Sequence, residues 1–278
     1  MARQSRRAFL AGSALAALAG TIPLPRVFAA STAKHPVPFT LGVTTYTFRA
    51  FSLAQAIAMT RRLGLPSLTL KDMHLPLTSS DEDIAAARGA IRAAGLECSS
   101  CGVVYMKTAD EVQRAFEYAA KLGAKLLVGA PDASLLKATE RAVQSTGIAL
   151  AIHNHGPNDA RFPSPESAYS LVAGMDPRMG LCVDIGHTRR LGLDPAAEIE
   201  RFKDRVFNVH FKDVSAADAT GDTIEVGRGV IDIPGFLAAM IRLEYRGALT
   251  FEFEKDEKDP LPGMAESVGY TRGVLAAL

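Results

Sequence analysis

Four short segments in the second half of the chain collect side chains able to hold a metal ion or move a proton. They read Ile152-His153-Asn154-His155-Gly156, Val183-Asp184-Ile185-Gly186-His187, His210-Phe211-Lys212-Asp213 and Phe251-Glu252-Phe253-Glu254. Each ends an apolar run with strand character, and strand side chains alternate faces. His153 and His155 therefore share a face, as do His210 with Lys212 and Glu252 with Glu254. The imidazoles of His153 and His210 with the carboxylates of Asp184 and Glu252 make a competent shell for one divalent cation. Neutral nitrogen and anionic oxygen both donate to Mn, Co, Zn or Fe; Mg suits the set less well. Without a cation, two carboxylates so close would repel, and one would have to take up a proton. A lone histidine at a strand end is commonly structural; the coincidence across four consecutive strands points to a metal.

The elements that position these residues are legible as an alternation. Strand-like runs fall at 39–47, 67–71, 97–104, 125–129, 149–155, 180–186, 206–212 and 248–254. Segments of helical period lie near 52–63, 81–94, 109–122, 134–145, 165–174, 194–202, 234–243 and 263–277. Gly64, Gly95, Gly123 and Gly147 each follow a helix, where a left-handed cap needs no Cβ. Eight strands and eight helices are the count of a single (β/α)8 TIM barrel. An open doubly wound sheet would use the same alternation, but Thr44-Thr45-Tyr46-Thr47 stands where its Gly-rich phosphate loop belongs. Barrel chemistry sits at the C-terminal strand ends, where the four segments fall. The second strand ends likewise, in Lys71-Asp72 followed by His74.

Composition agrees with one globular unit. The 278 residues are 48% hydrophobic and 22% charged, with a formal net charge of +1, so neither disorder nor a strongly basic surface is expected. Residues 1–30 read as a twin-arginine signal peptide: Arg6-Arg7, an apolar stretch from Ala8 to Leu24, and a Val27-Phe28-Ala29 cleavage site. The barrel domain is then 31–278, exported to the periplasm or secreted. Loss of Arg3, Arg6, Arg7 and Arg26 with that segment takes the formal charge from +1 to −3. The expectation is a protein that binds no nucleic acid and has no stable membrane association once the signal is removed. A homo-oligomer is compatible with the sequence.

The chain resembles the xylose isomerase-like TIM-barrel superfamily, in the branch of sugar phosphate isomerases and epimerases that also holds inosose dehydratases and endonuclease IV-type enzymes. The motifs that carry the resemblance are His153-Asn154-His155-Gly156-Pro157, Asp184-Ile185-Gly186-His187, His210-Phe211-Lys212-Asp213, Gly227-Arg228-Gly229 with Ile231-Asp232, and Phe251-Glu252-Phe253-Glu254. The resemblance implies a small-molecule sugar substrate and a metal held by His153, Asp184, His210 and Glu252. It also implies contact of His187 with substrate. Lys71, Tyr46 and Arg228 are further candidates for binding substrate, although Arg228 could equally cap a helix. Family members commonly carry Glu at the position of His153. A metal-bound imidazole has its lone pair occupied, so the symmetric pair of carboxylates used in 3-epimerisation is lost. One base plus a Lewis acid still suffices for elimination, which favours a 3-keto-glycoside lyase or dehydratase over an epimerase. The base is Glu254, His155 or Lys212, and His187 orients a hydroxyl or protonates the leaving oxygen.

Two other classes compete: an endonuclease IV-like DNA repair enzyme, which would want several metals and a basic groove, and a non-catalytic sugar-binding barrel. Smaller signals point to structure. Cys98 and Cys101 lack a second pair and read as structural, and Cys182 as core. Phe39, Tyr46, Phe48 and Tyr105 could line the pocket or pack. Lys255 to Asp259 reads as a solvated charge run.

Overall fold

The computed structural model describes residues 37–278. Eight parallel strands close into a barrel: β1 (Thr40–Thr44), β2 (Ser67–Leu70), β3 (Glu97–Met106), β4 (Leu126–Pro131), β5 (Ala149–His153), β6 (Met179–Asp184), β7 (Val206–Phe211) and β10 (Ala248–Phe251). Closure comes from β1, which pairs with β2 on one side and β10 on the other. A small antiparallel pair, β8 (Asp213–Val214) and β9 (Thr223–Ile224), lies in the long connection after β7. Parallel strands covered by helices are buried on both faces, which is why their sequences are nearly continuous apolar runs rather than alternating ones.

The helices are α1 (Leu53–Arg62), α2 (Asp81–Ala93), α3 (Ala109–Leu122), α4 (Leu136–Thr146), α5 (Pro165–Val172), α6 (Ile185–Arg190), α7 (Pro195–Arg201), α8 (Ile233–Arg242) and α9 (Leu261–Ala277). Their starts are encoded locally. Ser52, Thr108 and Ser164 form capping boxes with Gln55, Glu111 and Ser167, each satisfying otherwise orphaned N–H groups of the first turn. In α3, Val112, Ala115, Phe116, Ala119 and Leu122 are buried at three- and four-residue steps against the barrel. That helix and α4 end on Gly123 and Gly147, with φ of 82° and 74°, as a left-handed cap requires.

The described residues hold nine α-helices rather than the expected eight. The extra one, α6, begins inside the run read as the sixth strand. Asp184 ends β6, and its Oδ1 accepts the His187 N–H at 2.7 Å, so the same carboxylate that belongs to the site also starts a helix. Other strand ends come early for similar reasons. After His153, the His155 and Gly156 amides donate to Phe162 and Pro163 carbonyls. After Phe251, the Phe253 amide donates to Thr47 Oγ1. The run 39–47 is strand only from Thr40 to Thr44 and passes into a 3-10 turn from Thr45 to Phe48. Residues 1–30, read from the sequence as a signal peptide, lie outside the described residues.

Candidate metal centre and its surroundings

The four segments converge at the C-terminal mouth of the barrel through its register. Asp184 of β6 pairs with His210 of β7, and His210 with Thr250 of β10. His153 of β5 pairs with Cys182 of β6. Asn154, on the opposite face, locks this edge: its Oδ1 accepts the Asp184 N–H at 2.9 Å, and its Nδ2 donates to Thr188 Oγ1 at 3.3 Å.

His153, Asp184, His210 and Glu252 are all buried, and each offers a donor atom within 4.8 Å of the other three. His153 Nε2 and His210 Nδ1 are 2.9 Å apart. His153 Nε2 lies 3.5 Å from Asp184 Oδ2, and His210 Nδ1 lies 3.3 Å from Glu252 Oε2. Lys212 Nζ, with no exposed side-chain surface, sits among three carboxylates: Asp184 Oδ2 at 3.0 Å, Glu252 Oε2 at 2.6 Å and Glu254 Oε1 at 2.5 Å. Its stem passes over Gly186, where a Cβ would come within 2.5 Å of Lys212 Cγ.

The charge states follow from this packing. Burial alone would raise the carboxyl of Asp184, but Lys212, His187 and His153 outweigh it and hold the group well below its usual range. The Glu252 carboxyl is treated likewise, burial being overcome by His210 and Lys212. Burial would lower Lys212, yet the three carboxylates keep its ammonium charged. Burial and the neighbouring His210 hold His153 well below the usual imidazole range, leaving it a neutral donor. His155 and His187 are also lowered, chiefly by burial.

These residues fit a divalent cation on two grounds. Three carboxylates face two cations, the Lys212 ammonium and His210, which against burial Cys182 and Glu252 hold above its usual range, so the cluster is one positive charge short of neutrality. His153 Nε2 faces His210 Nδ1 at 2.9 Å, with Asp184 Oδ2 and Glu252 Oε2 3.5 and 3.3 Å from them, so two nitrogens and two carboxylate oxygens crowd one spot that a shared cation would relieve. Mixed imidazole and carboxylate donors suit Mn, Co, Zn or Fe.

The remaining candidates scatter around the mouth. His155 is no longer on a strand, but its ring stays 4.4 Å from that of His153, and its Nε2 is 2.8 Å from the Tyr105 hydroxyl. Glu254 keeps a third of its side chain exposed. His187 lies on α6 with Nε2 4.0 Å from Asp184 Oδ2. Lys71 Nζ, at the end of β2, donates to Asp72 Oδ1 at 2.5 Å and Val103 O at 2.8 Å. Tyr46 lies in the turn after β1, with the Arg49 guanidinium 5.1 Å from its ring centroid. Arg228 is exposed and pairs with Glu266 of α9 at 2.5 and 2.7 Å. Asp213, quoted with the strand-seven motif, holds a loop: its carboxylate accepts N–H groups of Val214, Gly227, Gly229 and Ile231.

Phe39 and Phe48 are core, and Lys255 to Asp259 are exposed. Cys98 and Cys101 are free thiols, and burial pushes Cys98 up to about 12, as expected of structural cysteines. Cys182 is core as well, yet its sulfur lies within 4.8 Å of nitrogens of His153 and His210. A cavity of about 500 Å³ at the opposite end of the barrel contains none of the candidate residues.

A rhizopine catabolism protein of Rhizobium meliloti is 30% identical over 139 residues, covering 45% of this chain and 42% of the relative. An inosose dehydratase of Geobacillus kaustophilus is 28% identical over 145 residues, 46% of this chain and 45% of its own. The matched stretch thus spans less than half the length of these curated relatives. The crystal structure of 3-keto-D-glucoside 4-epimerase from E. coli shares the fold, with a TM-score of 0.70 over 84% of this chain and 99% of that one at 14% identity. Residues 57–274 match the xylose isomerase-like TIM barrel family across the region that carries every residue of the cluster, and the chain belongs to that family.

Proposed function

We propose that the chain is an exported, divalent-metal-dependent enzyme that removes the proton beside the carbonyl of a keto-sugar and then expels a β-leaving group. The observation that carries this is the buried cluster of His153, Asp184, His210 and Glu252, short of positive charge and with two nitrogens and two carboxylate oxygens crowded together at a barrel mouth. The relatives, named for inosose dehydration and 3-keto-glucoside epimerisation, support carbonyl-adjacent proton chemistry on sugars.

When bound, the cation would polarise a carbonyl and so acidify the neighbouring C–H. His153, Asp184, His210 and Glu252 would hold it. Lys212 is saturated by three carboxylates and keeps them together, which leaves Glu254, with a third of its side chain exposed, as the carboxylate best able to reach a substrate proton. His155, neutral and tied to Tyr105, is the second choice. The C–H electron pair forms the enolate as the carbonyl π pair moves onto oxygen; when that pair returns, a double bond forms between the α and β carbons, the β C–O bond breaks and the leaving oxygen takes a proton from water. His153 in place of a carboxylate leaves no second base opposite Glu254, which favours elimination over 3-epimerisation.

The test is incubation with 3-keto-glycosides in deuterated water, with metal bound. Deuterium at the carbon next to the carbonyl and an ultraviolet-absorbing unsaturated product are expected. Glu254→Gln should lower both by roughly 100-fold or more while retaining metal. If Glu252→Gln and His210→Ala retained both metal and exchange, the reading fails. Export rests on residues 1–30, and a chain carrying Arg6→Lys with Arg7→Lys should remain in the cytoplasm uncleaved.

A further inference from the structure

We propose that Arg190 locks His187 into the Nε2–H tautomer, so that this ring meets substrate only as a hydrogen-bond donor. Arg190 Nη1 lies 3.1 Å from His187 Nδ1. A guanidinium has five donors and no acceptor, and it stays charged throughout the working pH range. Nδ1 must therefore accept, and in the neutral ring the hydrogen sits on Nε2.

The arrangement is built rather than incidental. Arg190 is itself held from a separate part of the chain, its Nε donating to Gly221 O at 2.7 Å and its Nη2 to Thr223 Oγ1 at 3.2 Å. Gly156 packs beside the same nitrogen, where a Cβ would sit 3.0 Å from His187 Nδ1. The His187 backbone is fixed by Asp184 Oδ1 at 2.7 Å. The ring stands edge-on to His153, with centroids 5.9 Å apart, and keeps 20% of its side chain open to the mouth.

Two consequences follow. His187 cannot serve as the base, because Nδ1 is covered and Nε2 already carries a hydrogen. It also does not protonate a leaving oxygen, since that would leave an imidazolate. It orients a substrate oxygen instead, and Arg190 is a positioning residue. The loop that holds Arg190, running from β8 into β9, is thereby coupled to the site. The tautomer stands on the distances alone; its use toward a sugar oxygen rests on the proposed function.

The experiment is a two-bond ¹H–¹⁵N correlation spectrum of histidine-labelled full chain at pH 7.5, recorded with diamagnetic Zn²⁺ and again after chelator treatment, with His187→Gln providing the assignment. A protonated Nε2 and a bare Nδ1 on His187 are expected in both. A hydrogen on Nδ1, or on both nitrogens, in either spectrum overturns the proposal. Arg190→Met should abolish the preference; an unchanged tautomer in that variant removes Arg190 from the account. In the keto-glycoside exchange assay Arg190→Met should raise KM about tenfold with a smaller effect on kcat, as expected for one misaligned hydrogen bond. A wild-type chain that gives no exchange but shows the Nε2–H ring would count against the proposed function and leave the tautomer lock standing.

Discussion

Replacing Lys212 by Met removes the ammonium from between Asp184, Glu252 and Glu254 while keeping a side chain of similar length over Gly186. In the metal-free protein this leaves two carboxylates, on Asp184 and Glu252, buried and adjacent with only imidazoles for company. Glu254 is a third exposed and can relax toward water, so it adds little. Removing one partner of a buried ion pair costs about 3–5 kcal/mol, because the other charge stays behind. For a chain of this size each kcal/mol moves the melting midpoint by roughly 2–4 °C, so the Lys212→Met variant should melt about 6–20 °C below wild type in chelator. A divalent cation restores positive charge to the same carboxylates. At 100 times its Kd it should return about 2.7 kcal/mol, a larger gain than wild type shows if Lys212 and the cation compete for the carboxylates. Thermal denaturation with chelator and with Zn²⁺ or Mn²⁺ measures all four states. A Lys212→Met midpoint within about 2 °C of wild type in chelator would refute the reasoning, since the ammonium would then contribute no net stabilisation.

Other perturbations test separate parts of the account. Asp213→Ala should destabilise the chain by at least about 3 kcal/mol in denaturant unfolding, because four amide donors lose one acceptor; an unchanged midpoint would show that the loop does not depend on it. Arg228→Ala should leave both exchange activity and melting unaffected, its partner being an exposed glutamate on α9; a large loss of activity would return Arg228 to the substrate site. Lowering pH from 6.5 to 5.5 should destabilise the metal-free protein. The unfolded chain takes up a proton at His153 that the fold resists, so stability present above the unfolded pKa is lost as pH falls, by up to about 1.4 kcal/mol per pH unit for that one group. A flat stability curve over that interval, read by denaturant midpoints, would mean that His153 is already protonated in the fold.

The barrel was legible because its strands are covered on both faces and its helices carry their own start signals, Ser52, Thr108 and Ser164 among them. The convergence of His153, Asp184, His210 and Glu252 was legible for a related reason: the C-terminal ends of the strands meet at one mouth, so a histidine or carboxylate at or beside a strand end is placed there by topology. Strand boundaries were not. Asp184 serves as both cluster member and helix cap, and a two-residue periodicity cannot reveal a cap that accepts from three residues on. Contacts between loops were equally hidden. Arg190 could be suspected as the i+3 neighbour of His187 on a helix, but only once α6 was known to exist. The pairing of Tyr105 with His155 joins residues 50 apart and leaves no local trace. Asp213 shows the reverse error: a residue quoted among reactive neighbours whose oxygens are spent on backbone amides.

Elemental analysis of the purified, metal-loaded chain bears most directly on the site. One divalent ion per chain is predicted for wild type, falling to well under one in His210→Ala and Glu252→Gln while Lys71→Met and Arg228→Ala remain loaded. A folded wild-type chain that retains no ion after exposure to Mn²⁺, Co²⁺, Zn²⁺ or Fe²⁺, or variants that hold it as tightly as wild type, would contradict the account.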